Sequence, residues 1–207
     1  STDINGATQL SVEIVTCVTN ATATSTKFIA WVKFPTYASG TREVYAFWNK
    51  AGQSQPAANA TYGSEAVWVG DDARLHLNES VNTTAGGYAD ATGNGYDSTG
   101  VSMALPAVDA NFGKAQDFDG TSDYISVPAG SISAAVSVNS FFISAWVNFD
   151  SLSVDGTLIG SFEVNKRQFL LYMDAGDNGP NYRVGASDGS NLTFTSPNSG
   201  GATVSTW

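Results

Sequence analysis

GKAQDFDGTSDYISVP, residues 113–128, is the stretch whose reading decides the fold. Phe118 falls on one face of a first strand, and Tyr124, Ile125 and Val127 belong to a second. Between them Asp119-Gly120-Thr121-Ser122-Asp123 has the composition of a tight turn. Glycine tolerates positive φ there, and aspartate side chains hydrogen-bond nearby backbone. Pro128 closes the second strand, because proline cannot donate to a ladder. The stretch predicts two antiparallel strands around an acidic turn, and so a β protein.

Composition widens that reading to the whole chain. Of 207 residues only 14% are charged and 12% are aromatic, with 21 glycines, which favours an all-β domain rich in turns. The length suits one large domain or a medium one with a smaller partner, and is enough to bury a sizeable core. A net charge of −10 excludes nucleic acid as a partner, since no basic surface is available to neutralise phosphates, and disfavours anionic membranes. No apolar run reaches the roughly 18 residues of a membrane span. Cys17 is the single cysteine, which rules out an intrachain disulfide and suits a small buried hydrophobe. Sequons stand at Asn20, Asn59, Asn78, Asn82 and Asn191.

Outward from the opening stretch, period-two alternation recurs. Leu10, Val12 and Ile14 alternate with Ser11, Glu13 and Val15, FIAWVKF at 28–34 is stopped by Pro35, and EVYAFW at 43–48 follows a turn. Residues 19–26 read as a polar loop. The stretch 50–65 loses periodicity, collects small residues, Pro and Gly, and reads as a linker. Beyond it, short strands are expected at 73–78, 115–118, 124–127, 141–149, 157–163, 168–173, 182–186 and 192–195. The strand FFISAWVNF at 141–149 is expected to be central, with Ile143, Ala145, Val147 and Phe149 facing the core. No stretch holds a 3.6-residue period for three turns, so no helix of ordinary length is expected.

These pieces carry a resemblance. RLHLNES (74–80), YADATGNGYDSTG (88–100), the opening stretch and FFISAWVNF follow one another as in the LamG-like (laminin G-like) members of the concanavalin A-like lectin/glucanase group. NGATQLSVEIV (5–15), FIAWVKFP (28–35) and EVYAFWNKAG (43–52) resemble the later part of the small bacterial module known as DUF2341. The resemblance implies an antiparallel β-sandwich, a concanavalin A-like jelly roll, over 64–207, preceded by a smaller β module over 1–60. It implies an extracellular setting, on a bacterial surface or secreted. Two departures stand out: Leu75-His76 replaces the family's usual Trp-His pair, and the chain stops at Thr206-Trp207 where such jelly rolls continue. The expectation is either a piece of a longer polypeptide or a sheet edge completed by another chain.

The chemistry-bearing candidates are few. In DATGNGYD, residues 90–97, oxygen-bearing side chains alternate at Asp90, Thr92 and Asn94, as in a tight loop that turns several oxygens inward for calcium, and Asp97 adds a second carboxylate. The alternative is a solvated Asx-turn loop, and the LamG-like resemblance implies calcium at this place. The acidic turn at Asp117, Asp119 and Asp123 reads as backbone capping. Residues 174–179 read as a hairpin loop. His76 is the chain's only histidine, no nucleophile elbow accompanies it, and no glycosidase carboxylate pairing appears, so catalysis is not expected. One His and one Cys cannot assemble a metal site of that type. Aromatic rings stack on sugars, and Tyr96 and Tyr182, in or beside loops, are the candidate ligand contacts. The expectation is a non-catalytic extracellular module that binds a glycan or a surface protein, stabilised by calcium. The alternative is a structural component of a surface filament, adhesin or virion, self-associating through the sandwich.

Overall fold

The computed structural model describes residues 1, 6, 8–17, 28–36, 39–41, 43–47, 51–52, 54–128, 142–161, 169–175, 179–185 and 191–194. The expected loop at 19–26, the sequon at Asn20, Trp48, Phe141 and Thr206-Trp207 lie outside them. The protein is strand-rich, and the one helix among the described residues is a single 3₁₀ turn, Glu65–Val67. None of their helices is long and apolar enough to cross a membrane. The chain divides into two compact units, Ser1–Pro128 and Ala129–Trp207.

In the first unit, β1 (Val12–Cys17) pairs antiparallel with β2 (Phe28–Val32), placing Glu13 opposite Trp31. The register shifts between Ile14 and Thr16. Leu10 is buried, yet Ile14 is exposed while Glu13 is half-buried, so the apolar face predicted for this strand does not hold along its length. Residues 57–63, within the stretch read as a linker, are hydrogen-bonded to β1 and to Ser11 just before it. The Val12 amide donates to Tyr62 O and the Ser11 hydroxyl to Thr61 O. A turn closes there through Ala60 N to Ala57 O at 2.9 Å. Gly63 closes the next turn onto Ala60 O at 2.8 Å, and a Cβ there would fall 2.1 Å from Ala57 O and 2.3 Å from Ala58 O, which backbone cannot vacate.

The opening stretch keeps its turn and loses its hairpin. Strand β5 (Gly113–Ala115) pairs with β4 (Val108–Ala110), and β6 (Tyr124–Ser126) pairs with β3 (Thr99–Val101). Alternation fixes which face a residue takes, and here the hydrogen-bonding neighbour came from elsewhere in the chain. The strand expected at 73–78 is reduced to one bridge, Leu75 opposite Asp90. Leu77 takes φ +55, an uncommon conformation for a bulky residue, which breaks the extended run. Residues 43–47 also lie outside any strand.

In the second unit, β7 (Gly156–Ser161), β8 (Phe169–Asp174), β9 (Gly179–Gly185) and β10 (Asn191–Phe194) form one antiparallel sheet in the order β10-β9-β8-β7. All four match expected strands to within a few residues. Strands β8 and β9 pair from Asp174 opposite Gly179, as expected of a hairpin at 174–179. Phe169, Tyr172 and Met173 are buried. Residues 142–148 lie outside any strand, which corrects the expected central strand. Ile143, Val147 and Phe149 are half-buried, whereas Phe142 is 87% and Trp146 65% exposed.

Candidate functional site: the loop built on Asp90

The loop 89–97 is pinched at its base. Tyr88 and Ser98, both fully buried, exchange hydrogen bonds at 3.0 Å and 2.7 Å in an antiparallel bridge. The chain between them must turn within nine residues, and Gly93 and Gly95 take the positive φ values, +78 and +82, that the turn demands.

Asp90 organises everything inside. Its Oδ1 accepts the amides of Arg74 at 3.0 Å and Thr92 at 3.1 Å, and its Oδ2 accepts the Thr92 hydroxyl at 2.7 Å and the Tyr96 amide at 3.2 Å. Burial pushes the Asp90 carboxyl up, but these donors outweigh burial and hold it below its ordinary value. The remaining groups extend the network. Asp97 Oδ1 accepts the Asp90 amide at 2.8 Å, Thr92 Oγ1 accepts the Asn94 amide at 3.2 Å, and Asn94 Nδ2 donates to the carbonyls of Asp71 and Asp72 at 3.3 Å and 2.9 Å. Outside the loop, Ala91 N donates to Arg74 O and Ala89 N to Glu79 Oε1. The loop is therefore fastened to residues 71–74 on one side and to Glu79 on the other.

The structure brings Asp90, Thr92, Asn94 and Asp97 into one loop, with each side chain engaged by the loop's own donors or by neighbouring carbonyls. In this arrangement the Asp90 carboxylate accepts four hydrogen bonds, three from backbone N–H groups and one from the Thr92 hydroxyl. No group of three or more His, Cys, Asp or Glu side chains placed to hold a metal occurs among the described residues. Tyr96 belongs to the same loop through its amide and is half-buried. Tyr182 belongs to the second unit, in β9, opposite Leu171 on one side and Phe194 on the other.

No family model, curated protein or solved structure matches the chain. Functional inference rests on the side chains themselves.

Two groupings escaped the sequence reading. Buried Gln116 joins Tyr88 to the segment before the loop: the Tyr88 hydroxyl donates to Gln116 Oε1 at 2.9 Å, and Gln116 Nε2 donates to Leu77 O at 3.1 Å and Glu79 O at 2.7 Å. Those two carbonyls belong to Leu77 itself and to the second residue after it, so Gln116 holds the segment that leaves the kink. Asn78 and Glu79 then line an open cavity of about 300 Å³ with Val81, Pro106 and Lys114. The second grouping surrounds His76. Its Nε2 lies 2.9 Å from Glu13 Oε2, which also accepts the Trp68 indole N–H at 2.5 Å. Trp31 and Trp68 pack on the imidazole with ring centroids at 6.4 Å and 5.3 Å. The carboxylate that partners His76 lies 63 residues away in the chain, beyond the reach of any local pattern.

The acidic turn behaves as its composition predicts. Asp119 Oδ1 accepts the amides of Thr121, Ser122 and Asp123, and Asp123 Oδ2 accepts the Asp119 amide. The amides of Ser122, Thr121 and Asp123 hold the Asp119 carboxyl far below the usual carboxylate range.

Proposed function

We propose that this chain is a non-catalytic binding or adhesion module acting outside the cell, a LamG-like jelly roll with a small β module before it, which recognises a glycan or a surface protein. One observation carries the non-catalytic part. The only histidine is held by Glu13 beside two tryptophans, and the carboxylate of Asp90 is committed to four hydrogen bonds within its own chain. A general acid or base needs a proton-transfer position open to substrate. Recognition draws on exposed rings: Phe142 and Trp146 stand four residues apart, and aromatic faces of this kind stack on sugar rings or anchor protein contacts.

Calcium belongs to the same proposal as a stabiliser at Asp90, Thr92, Asn94 and Asp97. Binding there requires metal–oxygen bonds to replace amide donors at Asp90, so its signature is a melting temperature that falls on adding chelator. The second reading, a structural part of a surface filament, adhesin or virion, draws on the same exposed apolar side chains as a contact between chains.

A glycan array probed with the full chain, in calcium and in chelator, tests the proposal. Saturable hits that weaken in Trp146→Ala support glycan recognition. An empty array together with concentration-dependent sedimentation transfers support to the second reading. Cleavage of any arrayed glycan overturns the non-catalytic reading.

A further inference from the structure

We propose that Asn94 is a site of self-modification, at which the Gly95 nitrogen displaces ammonia from the Asn94 side chain and releases the Asp90 loop from residues 71 and 72. Asn94 is the one described asparagine that precedes glycine. Both residues are exposed, and Gly95 stands at φ +82 with nothing within 4 Å of the place a Cβ would take. The nucleophile, the Gly95 nitrogen, has no hydrogen-bond partner among the described residues. Nor has Asn94 Oδ1, so solvent is free to stabilise that oxygen as it gathers charge.

The departing nitrogen, by contrast, is held. Nδ2 donates to Asp71 O at 3.3 Å and to Asp72 O at 2.9 Å. As a neutral amide it makes ordinary hydrogen bonds there. Once the Gly95 nitrogen has bonded to Cγ, Nδ2 becomes an amine and takes a proton from water. A charged donor holds the same two carbonyls roughly twice as strongly. An interaction that strengthens on the way to the transition state lowers the barrier. The step balances. The proton of the Gly95 N–H passes to solvent, the Cγ–Nδ2 bond breaks, ammonia leaves and a succinimide ring remains. Water then opens the ring at either carbonyl, giving aspartate or isoaspartate at position 94.

The acidic turn supplies the contrast. Asp119 also precedes a glycine at positive φ, Gly120. Its carboxylate accepts three amides and the Ser122 hydroxyl, which keep it ionised and a poor electrophile. At Asn94 the reaction changes the loop. The product has no donor for Asp71 O and Asp72 O and sets carboxylate oxygen against them. Isoaspartate also adds one bond to the main chain inside a loop that Tyr88 and Ser98 pinch shut. The hydrogen bond from the Tyr96 amide to Asp90 Oδ2 spans the altered residue and weakens with it.

The test incubates the full chain in warm neutral buffer made with heavy-oxygen water, natively and in unfolding guanidinium chloride, and reads each asparagine by peptide mass spectrometry. In the native chain Asn94 gains one heavy oxygen at about ten times the rate of Asn78, Asn82 and Asn111, whose following residues carry a hindering Cβ. It also converts faster natively than when unfolded, because only the folded loop holds the leaving nitrogen. Gly95→Ala, which has room for its methyl, slows the reaction about tenfold. The converted chain, separated by its extra negative charge, exchanges the Tyr96 amide faster than the parent. Conversion no faster in the native chain than in the unfolded one assigns the chemistry to the Asn-Gly sequence alone and overturns the proposal. So does an Asn94 that stays intact, or a converted chain whose Tyr96 amide exchanges as in the parent.

Discussion

Tyr88 and Gln116 form a buried hydrogen-bonded pair, with the phenol hydroxyl 2.9 Å from Gln116 Oε1 and accepting the Asn82 amide at 3.2 Å in turn. One side chain thereby links the base of the Asp90 loop to the kinked segment at Leu77. Tyr88→Phe removes a donor and an acceptor at once and leaves the buried Gln116 Oε1 and the half-buried Asn82 amide without this partner. The expected loss is about 1–3 kcal/mol in urea unfolding. Gln116→Leu, which strips the Leu77 and Glu79 carbonyls as well, is expected to lose more.

Asp90 predicts an acid dependence with a definite sign. Its carboxyl is held below its ordinary value, so it contributes stability above its unfolded value of about 3.9 and loses that contribution as pH falls through the lower folded value. Asp90→Asn is expected to be less stable than the parent at pH 7 by about 1–2 kcal/mol. The difference should shrink as pH falls below the unfolded value and through the lower folded one. Parallel urea titrations across that range check it, and a difference independent of pH contradicts the assignment.

Two glycines of the same region should respond differently to alanine. At Gly100 a Cβ would meet Asn82 O at 2.2 Å, Met103 Cγ at 2.8 Å and Tyr88 Cε2 at 2.9 Å, and the first of these is backbone. Gly100→Ala is expected to lose about 3 kcal/mol or to fail to fold. Gly95→Ala meets nothing within 4 Å and carries only the strain of φ +82, about 1 kcal/mol. Thermal melts of the two variants should rank in that order.

The Asp119 turn is exposed, so its effect is local. Asp119→Ala should leave the global melt nearly unchanged while amide exchange at Thr121, Ser122 and Asp123 accelerates about tenfold or more, since all three donate to one carboxylate oxygen. In the parent the same amides should lose protection only in strong acid, as the carboxyl is protonated through its lowered value.

Much of the secondary structure was legible, because each clear case is local. Strands β7 to β10 followed from alternation and turn residues, and each pairs with its neighbour in sequence. The Asp119 turn followed from side chains that reach two to four residues along their own chain. The grouping of Asp90, Thr92, Asn94 and Asp97 was legible for the same reason. What their oxygens do was not: Arg74 lies 16 residues from Asp90, and Asp72 lies 22 from Asn94. Residues 142–148 show the limit of alternation. Their odd positions are largely the more buried, as the pattern implied, but a pattern cannot supply the partner strand that makes a segment a strand.

The opening stretch divides along the same line. Sequence alone determined that this protein is built from short strands and tight polar turns, since glycine, asparagine and β-branched or aromatic residues act through backbone preferences a few residues long. It also determined that Asp119 caps its own turn. Only the tertiary structure decided that Gly113–Ala115 pairs with Val108–Ala110 and Tyr124–Ser126 with Thr99–Val101. The same holds for Glu13, which partners His76 Nε2, and for Gln116, which holds the carbonyls of Leu77 and Glu79. Those contacts satisfy buried polar groups with whichever partner packing brings within about 3 Å. Packing is a property of the whole unit, and no window of sequence contains it.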